Sequence, residues 1–259
     1  MQEIDNPKEV PNFQIPIIDA SHQSTIRLSS HLIDTEKVEC SFPDAQVFTN
    51  PHNAPVQSLG YGFLYNFQAA SHPNFAPAGW HLPTDEDWEH FAIVSEGSTN
   101  VGGMLKETGT EHWQEPNVGA SDSFNFTALP GGYREQHGRF YNLGAQARFW
   151  ANSPSSGEFS YHYYLSYNSA SLNRSLADWV DGHSVRLVKD DSINPNSLID
   201  MEGNEYPTIN VGGRIWLTKN WKCTQLNDGT PIENITQDFA WGNASNPAYC
   251  AYNNDLSLV

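Results

Sequence analysis

Two stretches of the chain carry side chains whose types and spacing could bind a ligand, and the first could also bind a metal ion. Glu115-Pro116-Asn117 places a carboxylate and an amide two residues apart. Their oxygens are ligands that Ca²⁺ prefers, and both groups can hydrogen-bond to the hydroxyls of a sugar. The nearest partner motif, Trp150-Ala151-Asn152, lacks the further acid that would complete such a site. Glu115 and Asn117 are the candidate metal ligands, with calcium as the candidate ion, and no other cofactor is predicted.

The second stretch is rich in Tyr, Trp and Asn and covers residues 149–181. Tyr and Trp offer rigid contact area, and Asn forms adaptable hydrogen bonds, so this composition is typical of recognition surfaces. Side chains alternate along a strand, so about half of the Tyr residues can face outward while the others pack in the core. The competing interpretation is aromatic packing without a ligand. The candidate ligand-binding residues are Trp150, Asn152, Tyr161, Tyr163, Tyr167, Asn168, Asn173, Arg174 and Trp179.

The sequence carries no pattern that indicates an enzyme. We find no Ser-His-Asp order, no phosphate-binding glycine loop and no spacing typical of paired catalytic carboxylates. Cys40, Cys223 and Cys250 are too far apart for a zinc or redox motif. A disulfide between Cys223 and Cys250 and a set of free thiols both remain open, because the sequence does not determine geometry.

The charge of the chain restricts its partners. The formal net charge is −17, with 13 basic residues scattered along the sequence. Binding to nucleic acid or to an anionic membrane surface depends on clustered Lys and Arg, so neither partner is predicted. No apolar stretch is long enough to insert into a membrane. The start of the chain shows no basic and apolar leader.

The strongest helix signal follows Pro83 and predicts a helix over 85–96. Thr84 can accept hydrogen bonds as the N-cap, and Asp87 can return one as in a capping box. Trp88, Phe91, Ala92 and Ser95 then have helical spacing and predict one buried stripe. A second short helix is predicted around 104–106.

Short strands separated by Gly- and Pro-rich loops account for the rest of the pattern. A hairpin is predicted around Gly212-Gly213. In 183–188, alternation places Val185 and Leu187 on one face, opposite Arg186 and Val188. Strands are expected at 61–67, 147–150, 161–167, 170–174, 183–188, 203–211 and 214–217. The predicted class is α+β, with short twisted antiparallel strands, one or two helices and long packed loops.

Several motifs resemble those of the Fibrobacter succinogenes major paralogous domain. They are Tyr61-Gly-Phe-Leu-Tyr-Asn, Ala76-Pro-Ala-Gly-Trp-His-Leu-Pro-Thr-Asp, Leu105-Lys-Glu-Thr-Gly, Phe126-Thr-Ala-Leu-Pro-Gly-Gly-Tyr and Gly182-His-Ser-Val-Arg-Leu-Val-Lys-Asp. The resemblance implies a C-type-lectin-like fold related to the formylglycine-generating enzymes, and a place outside the cell or at the cell surface. That branch resembles oxidases that need a pair of cysteines near the end of the domain. The matching strand of this chain reads Val185-Arg-Leu-Val188 and contains no cysteine.

The resemblance therefore implies a non-catalytic, extracellular or cell-surface module that binds a glycan or protein ligand. Animal C-type lectins bind calcium and mannose-type sugars through a Glu-Pro-Asn triplet similar to Glu115-Pro116-Asn117. One alternative is an adhesin-type structural module that pairs with other protein copies. A second alternative is an oxidase similar to the formylglycine-generating enzymes. The sequence leaves the oligomeric state open.

The family motifs also divide the chain into four segments. Residues 60–190 form the domain body, 191–199 a linker, and 1–59 a poorly defined segment that could be a diverged start of the domain. Residues 200–259 resemble the N-terminal part of the same domain, with Val211-Gly-Gly-Arg-Ile-Trp-Leu-Thr-Lys-Asn-Trp as the best match. This segment either completes the domain in permuted order or begins a truncated second copy. Completion is favoured, because an isolated half-domain would expose a large apolar face.

Overall fold

A computed structural model describes residues 60–259, which form an α+β arrangement with many short strands and few helices. The strands are β1 (Leu64–Tyr65), β2 (Trp80–His81), β3 (Gly131–Arg134), β4 (Phe140–Leu143), β5 (Gln146–Pro154), β6 (Phe159–Ser166), β7 (Asn173–Asp178), β8 (Val188–Lys189), β9 (Ser197–Ile199), β10 (Glu205–Val211), β11 (Arg214–Leu217), β12 (Glu233–Asn234) and β13 (Ala248–Cys250). The helices are α1 (Phe67–Ala70), α2 (Asp85–Val94), α3 (Val101–Leu105) and α4 (Asp238–Gly242), followed by 3₁₀ turns at Tyr252–Asn254 and Leu256–Leu258.

The strands form three sheets, and two of them join residues 200–259 to the preceding body. Their orders are β1-β13-β12, β2-β8-β11-β10-β9 and β4-β3-β5-β6-β7. β1 pairs with β13 through Leu64 and Cys250, and β8 pairs with β11 through Val188 and Trp216. The indole of Trp216 also lies 4.9 Å from the ring of Trp88 on α2. Residues 200–259 therefore share sheets and core with the body. The evolutionary origin of this order, permuted or tandem, stays a prediction.

Helix α2 begins at the predicted residue, but fewer of its residues are buried than the sequence predicts. Thr84 and Asp87 form both hydrogen bonds of the capping box. Trp88 and Phe91 are buried, as predicted, whereas Ala92 is exposed. The helix ends at Val94, so Ser95 lies outside it as the C-cap. Val94 packs against the core cluster instead.

The hairpin prediction is confirmed, and other strand predictions need correction. Gly212 and Gly213 connect β10 to β11 with φ of 59° and 95°, values that favour glycine. The predicted linker 191–199 ends in strand β9, which pairs with β10. Of the predicted strand 61–67, only Leu64–Tyr65 is extended in a sheet, because α1 begins at Phe67. The strand predicted at 170–174 begins at Asn173 and continues to Asp178.

The segment 185–188 has the two faces that alternation predicts, with Val185 and Leu187 in one core cluster and Val188 in another. Val185, Arg186, Leu187 and Val188 are all buried, at 1% exposure or less. This segment runs between the sheets, since His183 bridges to Tyr65 on one side and Ser184 to Phe149 on another. Both of its faces are covered, so the alternation of residue types does not become an alternation of exposure.

Buried Arg186 connects three parts of the chain through its guanidinium. Nε donates to Oδ1 of Asn220 at 2.6 Å, and Nη1 donates to the carbonyls of Phe126 and Leu217 at 2.7 and 3.1 Å. Nη2 donates to the carbonyl of Thr127 at 3.2 Å. Burial lowers the pKa of Arg186 to about 9. The cation is retained in the core because these oxygens replace its hydration.

The two cysteines in the described part of the chain are both free and buried, so Cys223 and Cys250 form no disulfide with each other. Burial raises the pKa of each thiol to about 12. Cys40 lies outside the described residues.

Replacing the buried guanidinium tests its role. Arg186→Met leaves four oxygens without their donors, and each unsatisfied acceptor is costly. We expect the free energy of unfolding, measured in urea, to fall by about 3 kcal/mol or more. The exposed Arg139 is the matched control, and Arg139→Met should change stability by less than about 0.5 kcal/mol. Equal effects of the two substitutions would show that the buried hydrogen bonds do not stabilise the fold.

Candidate binding face

The sheet β4-β3-β5-β6-β7 aligns five side chains across one of its faces. Directly paired residues lie on the same face of a sheet. Tyr133 is paired with Tyr141, and the parallel pairing of β3 with β5 places Tyr133 beside Arg148. Tyr164 is paired with Arg148 on one side and with Asn173 on the other. We call this set the tyrosine row: Tyr141, Tyr133, Arg148, Tyr164 and Asn173.

Arg148 lies at the centre of the tyrosine row. Its guanidinium carbon is 3.6 Å from the ring centroid of Tyr133 and 5.8 Å from that of Tyr164. Nε donates a 2.9 Å hydrogen bond to Oε1 of Gln146. The ion pairs found within residues 60–259 do not include Arg148. The side chain is thus held in place by two rings and an amide rather than by a carboxylate.

Two buried histidines lie on the same face behind the row. The rings of His162 and His183 are 4.6 Å apart, and His183 lies 5.8 Å from Tyr133. Burial, followed by the charge of Arg148, lowers the pKa of His162 to about 3. Burial also lowers the pKa of His183, well below its usual value. Both rings are therefore neutral at neutral pH. Nδ1 of His162 and both ring nitrogens of His183 have no hydrogen-bond partner among the described residues.

Asp181 supplies the carboxylate whose charge acts on this face. Burial and then repulsion from Asp178 raise the pKa of Asp181 to about 7, although a backbone hydrogen bond from Gln136 and the charge of Arg148 oppose the shift. The carboxyl group is therefore only partly ionised at neutral pH. It is a weak counter-ion for Arg148 and becomes weaker as the pH falls.

The structure places several predicted ligand-binding residues in the core instead. Trp150 is fully buried, and its indole nitrogen donates a 2.7 Å hydrogen bond to the carbonyl of Tyr65. Tyr163 is 4% exposed, and its ring stacks on Trp88 at 5.2 Å. Trp179 is half-buried and stacks on Phe67 at 5.6 Å. Trp150 on β5 and Tyr163 on β6 are packing residues, because both faces of the sheet are covered where these two strands pair.

Two other predicted residues lie on the opposite face of the sheet from the row. Tyr161 is three residues before Tyr164 on β6, so the two rings point to opposite faces. The Arg174 guanidinium lies over the Tyr161 ring at 3.1 Å and pairs with Asp85 at the start of α2. This ion pair joins the N-terminal end of α2 to strand β7.

The remaining predicted residues lie near the end of β5, in the turn after β6 and in the row. Asn152 and Asn168 are exposed, and Tyr167 is half-buried in the turn after β6. Oδ1 of Asn168 accepts a 2.8 Å hydrogen bond from the Ser166 hydroxyl. Asn173, which ends the tyrosine row, is the one residue that belongs both to the row and to the predicted set.

The proposed calcium ligands do not act as a pair. Glu115 is exposed, whereas Asn117 is 5% exposed. The amide nitrogen of Asn117 donates to the carbonyls of Glu107 and Gly109 at 2.9 and 2.8 Å. Its amide nitrogen therefore closes the loop from inside, while Oδ1 is buried without a hydrogen-bond partner among the described residues, and the calcium site stays a prediction.

Asp200, Glu202 and Cys223 bring their ligand atoms within 4.8 Å of one another, a spacing that could suit a metal. Their atoms have protein partners, however. The Asp200 carboxylate accepts hydrogen bonds from the Tyr206 hydroxyl and the Asn204 amide, at 2.8 and 2.9 Å. The Cys223 thiol, with its raised pKa, is protonated at neutral pH. Asp200, Glu202 and Cys223 are therefore described as a hydrogen-bonded cluster rather than as a metal site.

Sequence reasoning missed most of the tyrosine row. Tyr133, Tyr141 and Arg148 lie outside the predicted surface 149–181. Tyr164 lies within that surface but is not among the predicted ligand-binding residues. The tyrosines of β3 and β4 flank the turn at 135–139, and this hairpin spacing was the available signal.

Comparison with known proteins identifies a family and nothing narrower. The model of the Fibrobacter succinogenes major domain matches residues 27–189, more than half of the chain. No curated protein and no solved structure matches. No helix within residues 60–259 is long and apolar enough to cross a membrane.

The buried histidines predict acid sensitivity. The pKa of His162 is lower in the folded than in the unfolded chain, so its contribution is present above about pH 6.5 and is lost as the pH falls toward 3. Between about pH 7 and pH 5, it should remove about 2 kcal/mol from the free energy of unfolding. His162→Phe should reduce the measured loss by that amount in urea titrations. His137→Phe, at an exposed position, should leave it unchanged, and an unaltered loss in His162→Phe would contradict the assignment.

Proposed function

The chain belongs to the Fibrobacter succinogenes major domain family, and from that membership we propose that it is a non-catalytic binding module for a glycan or protein ligand. The observation that carries the proposal is the tyrosine row, in which Arg148 is held between Tyr133 and Tyr164. We propose that this row is the ligand contact, in place of the wider surface over 149–181.

The chemistry of the row supports recognition. Tyrosine hydroxyls donate and accept hydrogen bonds, their ring faces contact apolar patches, and a guanidinium offers several donors in one plane. Tyr141 is 38% exposed, and its ring lies 5.7 Å from that of Tyr133. Because the sheet register and the ring contacts already position these side chains, little conformational entropy is lost when a ligand binds.

The fold and the location complete the proposal. Short strands, one capped helix and long packed loops support a C-type-lectin-like fold, as does the family membership. We further propose that the module acts outside the cell or at its surface, which is the setting that the family resemblance implies.

A glycan array on the full chain, repeated with chelator, tests this function with two variants. Tyr161 and Tyr164 are both half-buried on the same strand but point to opposite faces. If the row binds the ligand, Tyr164→Ala should weaken binding by about tenfold or more, as expected for the loss of a contact tyrosine. Tyr161→Ala should leave binding unchanged, and chelator should have no effect.

The reverse result, in which only Tyr161→Ala weakens binding, would move the site to the other face of the sheet. Chelator-sensitive binding would restore a metal-dependent site. A blank array from folded protein would argue against glycan recognition and favour a protein ligand.

A second candidate function, assembly with other copies of the chain, is favoured by one observation. β7 is an edge strand of its sheet, and Leu176 on it is 47% exposed. Phe159, which is 43% exposed, points to the same face from β6. An exposed edge strand with apolar side chains is suited to pair with a second strand.

Light scattering across a range of protein concentrations tests assembly. If β7 mediates pairing, the full chain should show a concentration-dependent increase in mass that Leu176→Asp abolishes. Leu256→Asp, at a position 63% exposed elsewhere, is the matched control and should retain the increase. A mass that stays monomeric at every concentration would reject this candidate.

A further inference from the structure

The surroundings of Arg148 indicate the class of ligand that the tyrosine row takes. We propose that the row binds a saccharide that carries a carboxylate, as in a glycan with uronic acid units, and that Arg148 receives the carboxylate. This inference rests on the binding function proposed above and makes its ligand more specific.

The environment of the Arg148 charge favours an anionic ligand. The chain has 30 acidic and 13 basic residues, and Arg134, Arg174 and Arg214 each pair with a carboxylate. Arg148 differs, because two tyrosine rings and the Gln146 amide surround it. Burial lowers its pKa, so the charged form is held at a cost that a bound anion would offset.

The groups that face Arg148 supply little negative charge. Tyr133 on β3 and Tyr164 on β6 contribute aromatic rings, and His162 and His183 are neutral because burial lowers their pKa values. Asp181, after β7, is the facing carboxylate, and it is partly protonated near neutral pH. Glu135 and Asp178 act on Asp181 and oppose its ionisation. The protein itself thus gives Arg148 little compensating charge.

The side chains along the row favour a saccharide as the carrier of the carboxylate. A guanidinium binds a planar carboxylate through two parallel hydrogen bonds, and the exposed ring of Tyr141 can contact the apolar face of a sugar. Asn173 at the other end of the row offers an amide that can bond to hydroxyls. A densely charged polyanion would be repelled by the net charge of −17, whereas a carboxylate flanked by neutral sugar surface would not.

The test compares an oligomer of neutral sugars that carries one uronic acid unit with the same oligomer after that carboxyl is reduced to an alcohol, by calorimetry on the full chain. We expect the acidic oligomer to bind about tenfold to a hundredfold more tightly, which is the range of a charge-assisted hydrogen-bonded pair. Arg148→Gln should remove this preference, and Arg148→Lys should retain part of it. Arg139→Gln, which changes an exposed arginine on the adjacent hairpin, should retain all of it, and melting curves verify that each variant is folded.

The pH provides a second readout. The sugar carboxylate stays ionised between about pH 6 and pH 8, because unperturbed carboxyl groups titrate near pH 4. Asp181 gains its proton over the same interval, so affinity for the acidic oligomer should rise as the pH falls. Asp181→Asn should abolish this dependence and leave the chain with the tighter, low-pH affinity throughout.

The outcomes separate this inference from the binding function. Equal affinity for the acidic and reduced oligomers, unaffected by Arg148→Gln, would overturn the carboxylate inference and leave the binding module in place. Tighter binding of an acidic peptide than of either oligomer would overturn the saccharide class. No binding of any array glycan or test ligand by folded protein would overturn both the carboxylate inference and glycan recognition, and would leave a protein ligand for the row.

Discussion

Long loops in a compact fold must satisfy their buried carbonyl groups, and in this protein buried cations meet much of that requirement. Arg186 donates to the carbonyls of Phe126, Thr127 and Leu217. Fully buried Lys106 donates to those of Val118, Ser166 and Ser169, at 2.8 to 2.9 Å. Buried Arg134 donates to those of Gly138, Ile235 and Thr236. This acidic chain thus buries several of its few cationic side chains, and they bind the carbonyl groups of loops that lack strand pairing.

The same contacts join the C-terminal residues to the body. Arg134 reaches from β3 to the segment before α4, and Arg186 reaches to the end of β11 and to Asn220. Trp216 adds aromatic packing against α2. The sheet that carries the tyrosine row is therefore held at β3 by a segment 101 positions away in the chain, through the bond from Arg134 to the Ile235 carbonyl. Such support keeps a binding face in one arrangement before a ligand arrives.

The tyrosine row depends on register more than on any single residue. A shift of one residue in β5 or β6 would exchange Arg148 and Tyr164 for Phe149 and Tyr163, which now fill the core beside Trp88. The apolar residues thus stabilise the register, and the register brings the polar ones together on the other face. Arg148 lies on Tyr133 because β3 and β5 are neighbours in the sheet, although the chain reaches β5 only after β4.

Local rules were sufficient to predict the capped start of α2 and the glycine hairpin at Gly212-Gly213, since both depend on hydrogen bonds and φ angles within a few residues. The family and the α+β class were also evident from the sequence. The complete tyrosine row was not, because β3 pairs with β5 although β4 lies between them in the chain, and no local pattern encodes that pairing. Alternation shows that Tyr161 and Tyr164 point to opposite faces of the sheet, but it does not show which face is covered. Only the tertiary structure decides this, because α2, Trp216 and the segment before β8 pack on the sheet. That packing buries Tyr163 and Trp150 and leaves Arg148 half-buried between two rings.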